Sequence, residues 1–182
     1  MSFTGPVPRG YVVYKGALFA LLTGNTALYL FTGTRSEAFD SLSWLVILVS
    51  FELESERPDL VRKRWSGFAL RGVRLLAAAA LAAAAMGYIL TKEWLDATNI
   101  GLWVGVVSLL ELEVHRPDAV MRHRGEFIAA ATALYAGLVG LVVAWLLRGE
   151  WFDAYDAALW LVAFATLEMG LLAQIRNGRA AT

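Results

Sequence analysis

The sequence predicts an all-α polytopic membrane protein: six transmembrane helices, built as three tandem helical hairpins in a single membrane domain. Three observations carry that prediction. Hydrophobic residues make up 58% of the chain, with seven tryptophans and a mean hydropathy of +0.56, well above the apolar share of soluble domains. Long apolar runs recur from one end of the chain to the other. One pattern also occurs three times: Glu52, Glu111 and Glu168 each stand eight residues after a tryptophan, namely Trp44, Trp103 and Trp160.

Taken in chain order, Tyr11 to Phe31 supplies the first helix, with about the 20 apolar residues that a bilayer crossing requires. It is longer than the apolar core of a removable signal peptide, so it is expected to remain as the first crossing. Leu42 to Leu53 supplies the second, long enough only if the helix carries Glu52 into the bilayer. Phe68 to Leu90 and Phe127 to Leu147 are the third and fifth, again of full length. Between them Ile100 to Val114 repeats the short, glutamate-bearing type, and Ala157 to Ile175 is the sixth.

The even helices share more than a glutamate. Asp40, Asn99 and Asp156 each precede the tryptophan by four residues and are read as N-caps at external helix starts. Glu52-Leu53-Glu54-Ser55-Glu56-Arg57-Pro58-Asp59 matches Glu111-Leu112-Glu113-Val114-His115-Arg116-Pro117-Asp118, whereas the third copy keeps Glu168 and loses the arginine and the proline. Repeats therefore run over residues 1–60, 61–118 and 119–182. Glu37, Glu93 and Glu150 with their following aromatics read as an interfacial belt, the first lying three residues nearer its tryptophan than the others. Small residues at four-residue spacing, Gly101 with Gly105, Ala133 with Gly137 and Ala136 with Gly140, imply close helix contact. Asn25, beside Gly24 and Thr26, is expected to hydrogen-bond between helices. Three tandem two-helix units are similar in outline to the mitochondrial carriers. Here, however, the Arg-Pro-Asp segments close even helices and the carrier signature is out of place, so nothing carries over.

Charge sets the orientation. Thirteen of the sixteen Lys and Arg fall at the N-terminus, the second and fourth connections and the C-terminus or in the helix ends that adjoin them; only Arg35, Lys92 and Arg148 fall on the other side. The positive-inside rule then places both termini in the cytoplasm, with the basic face among anionic lipid headgroups rather than on nucleic acid, and a bacterial inner membrane is the expected location.

A charged, unpaired carboxylate deep in lipid costs on the order of 2–3 kcal/mol, so each repeated glutamate needs a partner or a function. Twelve residues at about 1.5 Å each put Glu52 roughly 18 Å below Asp40, and Glu111 and Glu168 follow by the same count. Lys15, Arg71 and Arg74 lie at matching depth and are the candidate partners for buried pairing. The functional alternative makes Glu52, Glu111 and Glu168 a proton or cation site, with Glu168 the most isolated in apolar sequence. Glu52 with Glu56, and Glu111 with His115, are spaced i and i+4 on one helix face and form the weaker metal set. No cofactor is expected: the chain has no cysteine, and its only histidines, His115 and His123, sit by one loop and cannot face each other across a haem. With no phosphate loop, nucleophile elbow or catalytic set, two roles remain. One is a non-enzymatic accessory subunit of a larger membrane complex, an energy-converting one for example, with membrane subunits or a second copy as partners. The other is a small proton or cation transporter or channel.

Overall fold

The computed structural model describes residues 9–56 and 64–179, with side chains at 10–53, 68–113 and 116–166. Arg57, Pro58, Asp59, Arg62 and Lys63 lie outside them, as do the side chains of Glu54, Glu56, His115 and Glu168. The described residues are all helical in their regular structure: α1 (Arg9–Thr32), α2 (Arg35–Glu56), α3 (Arg64–Thr91), α4 (Trp94–His115), α5 (Pro117–Arg122), α6 (Arg124–Arg148) and α7 (Trp151–Arg179). Phe68–Thr91, Trp94–Glu113 and Arg124–Arg148 are long and apolar enough to cross a membrane. The second of these carries Glu111 inside the span.

The helix starts differ from the sequence reading. Asp40, Asn99 and Asp156 are not N-caps; each lies five residues inside its helix, because α2, α4 and α7 begin at Arg35, Trp94 and Trp151. At α2 the reason is a capping box in which the Thr34 hydroxyl accepts the Glu37 N–H at 3.3 Å and the Glu37 carboxylate accepts the Thr34 N–H. That box starts the helix a turn and a half earlier than Asp40 would. The short apolar run thereby becomes a helix of 22 residues, about 33 Å of rise.

Pairs of helices are joined by connections of two residues, at 33–34, 92–93 and 149–150. Two of these end the preceding helix in the same way. Lys92 and Gly149 take left-handed φ values of 65° and 79°. The next residue's N–H then reaches back, Glu93 to the Tyr88 carbonyl at 2.8 Å and Glu150 to the Trp145 carbonyl at 3.0 Å. This bonding satisfies carbonyls that a helix end leaves open.

The chain forms two compact units, Asn25–Leu141 and Met1–Gly24 with Val142–Thr182. Within the first, α2 packs on α3 and α3 on α4, around Trp44, Leu48, Ala84, Tyr88 and Trp103, all buried. Thr26 and Ser41 hydroxyls meet at 2.9 Å and tie the end of α1 to α2. Asn25 is 5% exposed and engages a partner of its own. Contact between α4 and α6 is reciprocal, with Leu134 over Gly105 and Leu102 over Gly137. Gly101, the four-residue partner of Gly105, and Gly140, the four-residue partner of Ala136, face open space. In the other unit Leu18, Leu22, Trp145, Trp160 and Phe164 are buried, and the Tyr14 hydroxyl reaches Thr166 Oγ1 at 3.0 Å, joining α1 to α7. Other hydroxyls in apolar helices bond to their own i−4 carbonyls, among them Ser50 to Val46, Ser108 to Val104 and Thr23 to Phe19, and so are satisfied within their own helices.

Candidate functional site

The repeated glutamates occupy one position in their helices. Glu52, Glu111 and Glu168 each come seventeen residues after the first residue of α2, α4 and α7, about 26 Å along the axis. That places them farther from the helix starts than a count from Asp40, Asn99 and Asp156 implies, since the helices start earlier. Glu52 is half-buried and Glu111 exposed, and both engage electrostatic or hydrogen-bond partners.

Among the candidate cations, Arg74 stands beside the residue that precedes Glu52. Its guanidinium carbon stands 4.6 Å from the ring centroid of Phe51, the residue before Glu52, in the packed face between α2 and α3. A guanidinium over an aromatic face is a favourable cation–π contact, and Arg74 makes further interactions besides it. Lys15 Nζ lies 6.0 Å from the Tyr11 ring one turn earlier on its own helix, and Arg71 is exposed. Among the described residues no three His, Asp or Glu side chains converge as a metal cluster, and the Glu56 and His115 members of the weak metal set lie outside the described side chains.

A second constellation, at the other end of the same helices, was hidden by the alignment of the glutamates before the tryptophans. When Glu37 is matched to Asp96 and Asp153 in place of Glu93 and Glu150, the three-residue discrepancy disappears. Each even helix then carries the same series: Glu37, Asp40, Trp44; Asp96, Asn99, Trp103; Asp153, Asp156, Trp160. The spacing of three and then four residues lays each series along one helix face. Trp44, Trp103 and Trp160 are 6%, 3% and 6% exposed, and the polar residues above them are half-buried.

In the Asn25–Leu141 unit two of these series meet. The rings of Trp44 and Trp103 lie with centroids 6.1 Å apart at an interplanar angle of 57°, a tilted pair. Near the start of α2 and the end of α3, Tyr88 of α3 is 2% exposed and donates its hydroxyl hydrogen to Asp40 Oδ2 at 3.4 Å. The charges that bear on that hydroxyl are four carboxylates, those of Asp40, Asp96, Glu37 and Glu93. Chemically, the arrangement concentrates negative potential over neutral oxygen ligands in a partly buried site, which suits a cation and repels an anion.

The chain matches no protein-family model, no curated protein and no solved structure.

Proposed function

We propose that this chain is a non-enzymatic integral membrane subunit that docks onto other membrane proteins, with six crossings arranged as three hairpins and both termini cytoplasmic. The lengths of α1, α2 and α7, 24, 22 and 29 residues, suffice for the three further crossings at about 1.5 Å per residue. Two-residue connections and the shared seventeen-residue distance from helix start to glutamate support the hairpin repeat.

The observation that carries docking is on α6. Ala129, Ala133, Ala136 and Gly140 line one face at spacings of four, three and four residues, and all four are exposed. Nothing stands within 4 Å of where a Cβ at Gly140 would be. Large side chains are exposed elsewhere, for example Phe68 at 78% and Leu147 at 84%, and another exposed small-residue face is that of Ala78, Ala79, Ala82 and Ala83 on α3. A stripe of small residues in a membrane helix lets another backbone approach closely, and dispersion and packing rather than hydrophobicity drive that association. Purification of the native protein in mild detergent tests the reading. Stoichiometric membrane companions, lost on Ala136→Phe, are expected; a parent that purifies alone refutes it.

Transport of protons or cations past Glu52, Glu111 and Glu168 is the second reading, favoured by their equivalent helix positions. It requires that Glu168→Gln lower ion or proton flux in liposomes while leaving the far-UV spectrum intact. A parent without flux, or a variant with undiminished flux, sinks it.

A further inference from the structure

The outer junction of α2, α3 and α4 holds polar groups that packing alone does not explain. Trp44 is 6% exposed, and its indole Nε1–H has no hydrogen-bond acceptor among the described residues. Asn99 Oδ1 is also buried, without a donor among the described residues. A buried donor and a buried acceptor left in this condition are costly, and in native proteins such groups mark a bound water, ion or ligand. Side chains in a helix lean toward its N-terminus, so the indole of Trp44 is directed at the turn that carries Asp40. Trp103, against which Trp44 packs, lies one turn below Asn99 in the same way. Donor, acceptor and the Asp40–Tyr88 pair therefore belong to one level of the bundle.

We propose that this level is a binding site for a hydrated alkali-metal cation, with the Asp40 carboxylate, Asn99 Oδ1 and the Tyr88 hydroxyl oxygen as ligands and a water of hydration held by the Trp44 N–H. The sign of the ligand follows from the surroundings: Glu37, Glu93 and Asp96 add their negative charge to that of Asp40. Its valence follows from the donor set. Calcium favours about six to eight oxygen ligands with several carboxylates among them, and here no three acidic side chains converge among the described residues. Magnesium, although satisfied by one or two carboxylates, keeps most of its water and demands near-ideal octahedral geometry, for which two neutral side-chain oxygens are poor replacements. One carboxylate with neutral oxygens matches a monovalent ion that keeps part of its water.

The site is independent of the docking reading and of the inner glutamates. Full-length protein in nanodiscs is unfolded thermally in NaCl, KCl and choline chloride at equal ionic strength. The melting temperature is expected to be higher with sodium or potassium than with choline, and to rise with concentration to saturation. Asp40→Asn should remove the increment, whereas Glu126→Gln, an exposed carboxylate near the opposite helix ends, should keep it. Because a charge change within the bundle can impair folding, Trp44→Phe serves as the second variant. It removes the N–H together with part of the buried indole, so it is read by the salt concentration at half-maximal increment rather than by the baseline melting temperature, and it should weaken the apparent cation affinity several-fold. Equal melting in all three salts, the result for a pocket that holds water alone, overturns the proposal. So does a sodium increment that survives Asp40→Asn.

Discussion

Valine at position 105 should destabilise the bundle, and valine at position 101 should not, although both glycines belong to the same four-residue spacing. At Gly105 an added Cβ would stand 2.8 Å from Leu134 Cδ2 and 3.2 Å from Cδ1. Carbon atoms in contact rest at about 3.5–4.0 Å, so even a methyl forces Leu134 aside by most of an ångström. Valine adds two further methyls to that space. Overpacking of this kind costs about 1–3 kcal/mol, offset by about 0.4 kcal/mol because glycine is the poorer helix former. The net expectation is a loss of roughly 1–2.5 kcal/mol at position 105. At Gly101 no heavy atom lies within 4 Å, and only the propensity gain applies. Reversible unfolding in mixed micelles, driven by added denaturing detergent and followed by far-UV circular dichroism, measures both. Equal stabilities of Gly105→Val and Gly101→Val, or greater damage at 101, would refute the reciprocal glycine–leucine contact between α4 and α6.

Three smaller perturbations read other parts of the fold. Thr34→Val deletes the hydroxyl half of the capping box and should cost about 1 kcal/mol in the same unfolding assay, with fraying at the start of α2 visible as faster amide exchange at Glu37. Lys92 holds φ 65° with a full side chain, so Lys92→Gly should stabilise by about 1 kcal/mol, while Gly149→Ala should destabilise by a similar amount; opposite signs would show that the two turns are not built alike. Phe51→Leu removes the ring under the Arg74 guanidinium and should lower stability by about 1 kcal/mol, a loss that vanishes when Arg74 is first replaced by Met.

Much of the fold is legible in the residues themselves. Phe68 to Leu90 and Phe127 to Leu147 read as spanning helices because a bilayer demands an uninterrupted apolar length, and α3 and α6 contain them. The even helices were harder. Their first turns hold Arg35, Glu37, Trp94 and Asp96, polar and aromatic residues that resemble a loop when only hydrophobicity is counted. They are nevertheless helical, since an interfacial turn keeps its internal hydrogen bonds whatever its side chains face. The mistaken caps at Asp40, Asn99 and Asp156 follow from that boundary, and with them the alignment that concealed Glu37, Asp96 and Asp153 as equivalents. At the inner end, charge spacing points to Arg74 as a partner at the depth of Glu52, but the ring of Phe51 beneath its guanidinium is not implied by depth alone.

By itself, the sequence determined the all-helical class, the presence of helices long and apolar enough to cross a membrane, and the recurrence of a tryptophan followed by a glutamate. These depend on composition and on spacing along one chain, and lipid leaves a helical segment little alternative. The tertiary structure decided which repeated residues face each other. It turned Trp44 onto Trp103, closed Tyr88 over Asp40, and set Leu134 against Gly105 while leaving Gly101 open. Helix rotation and interhelical distance fix those contacts, and both depend on how side chains from distant parts of the chain interlock, which no local pattern encodes.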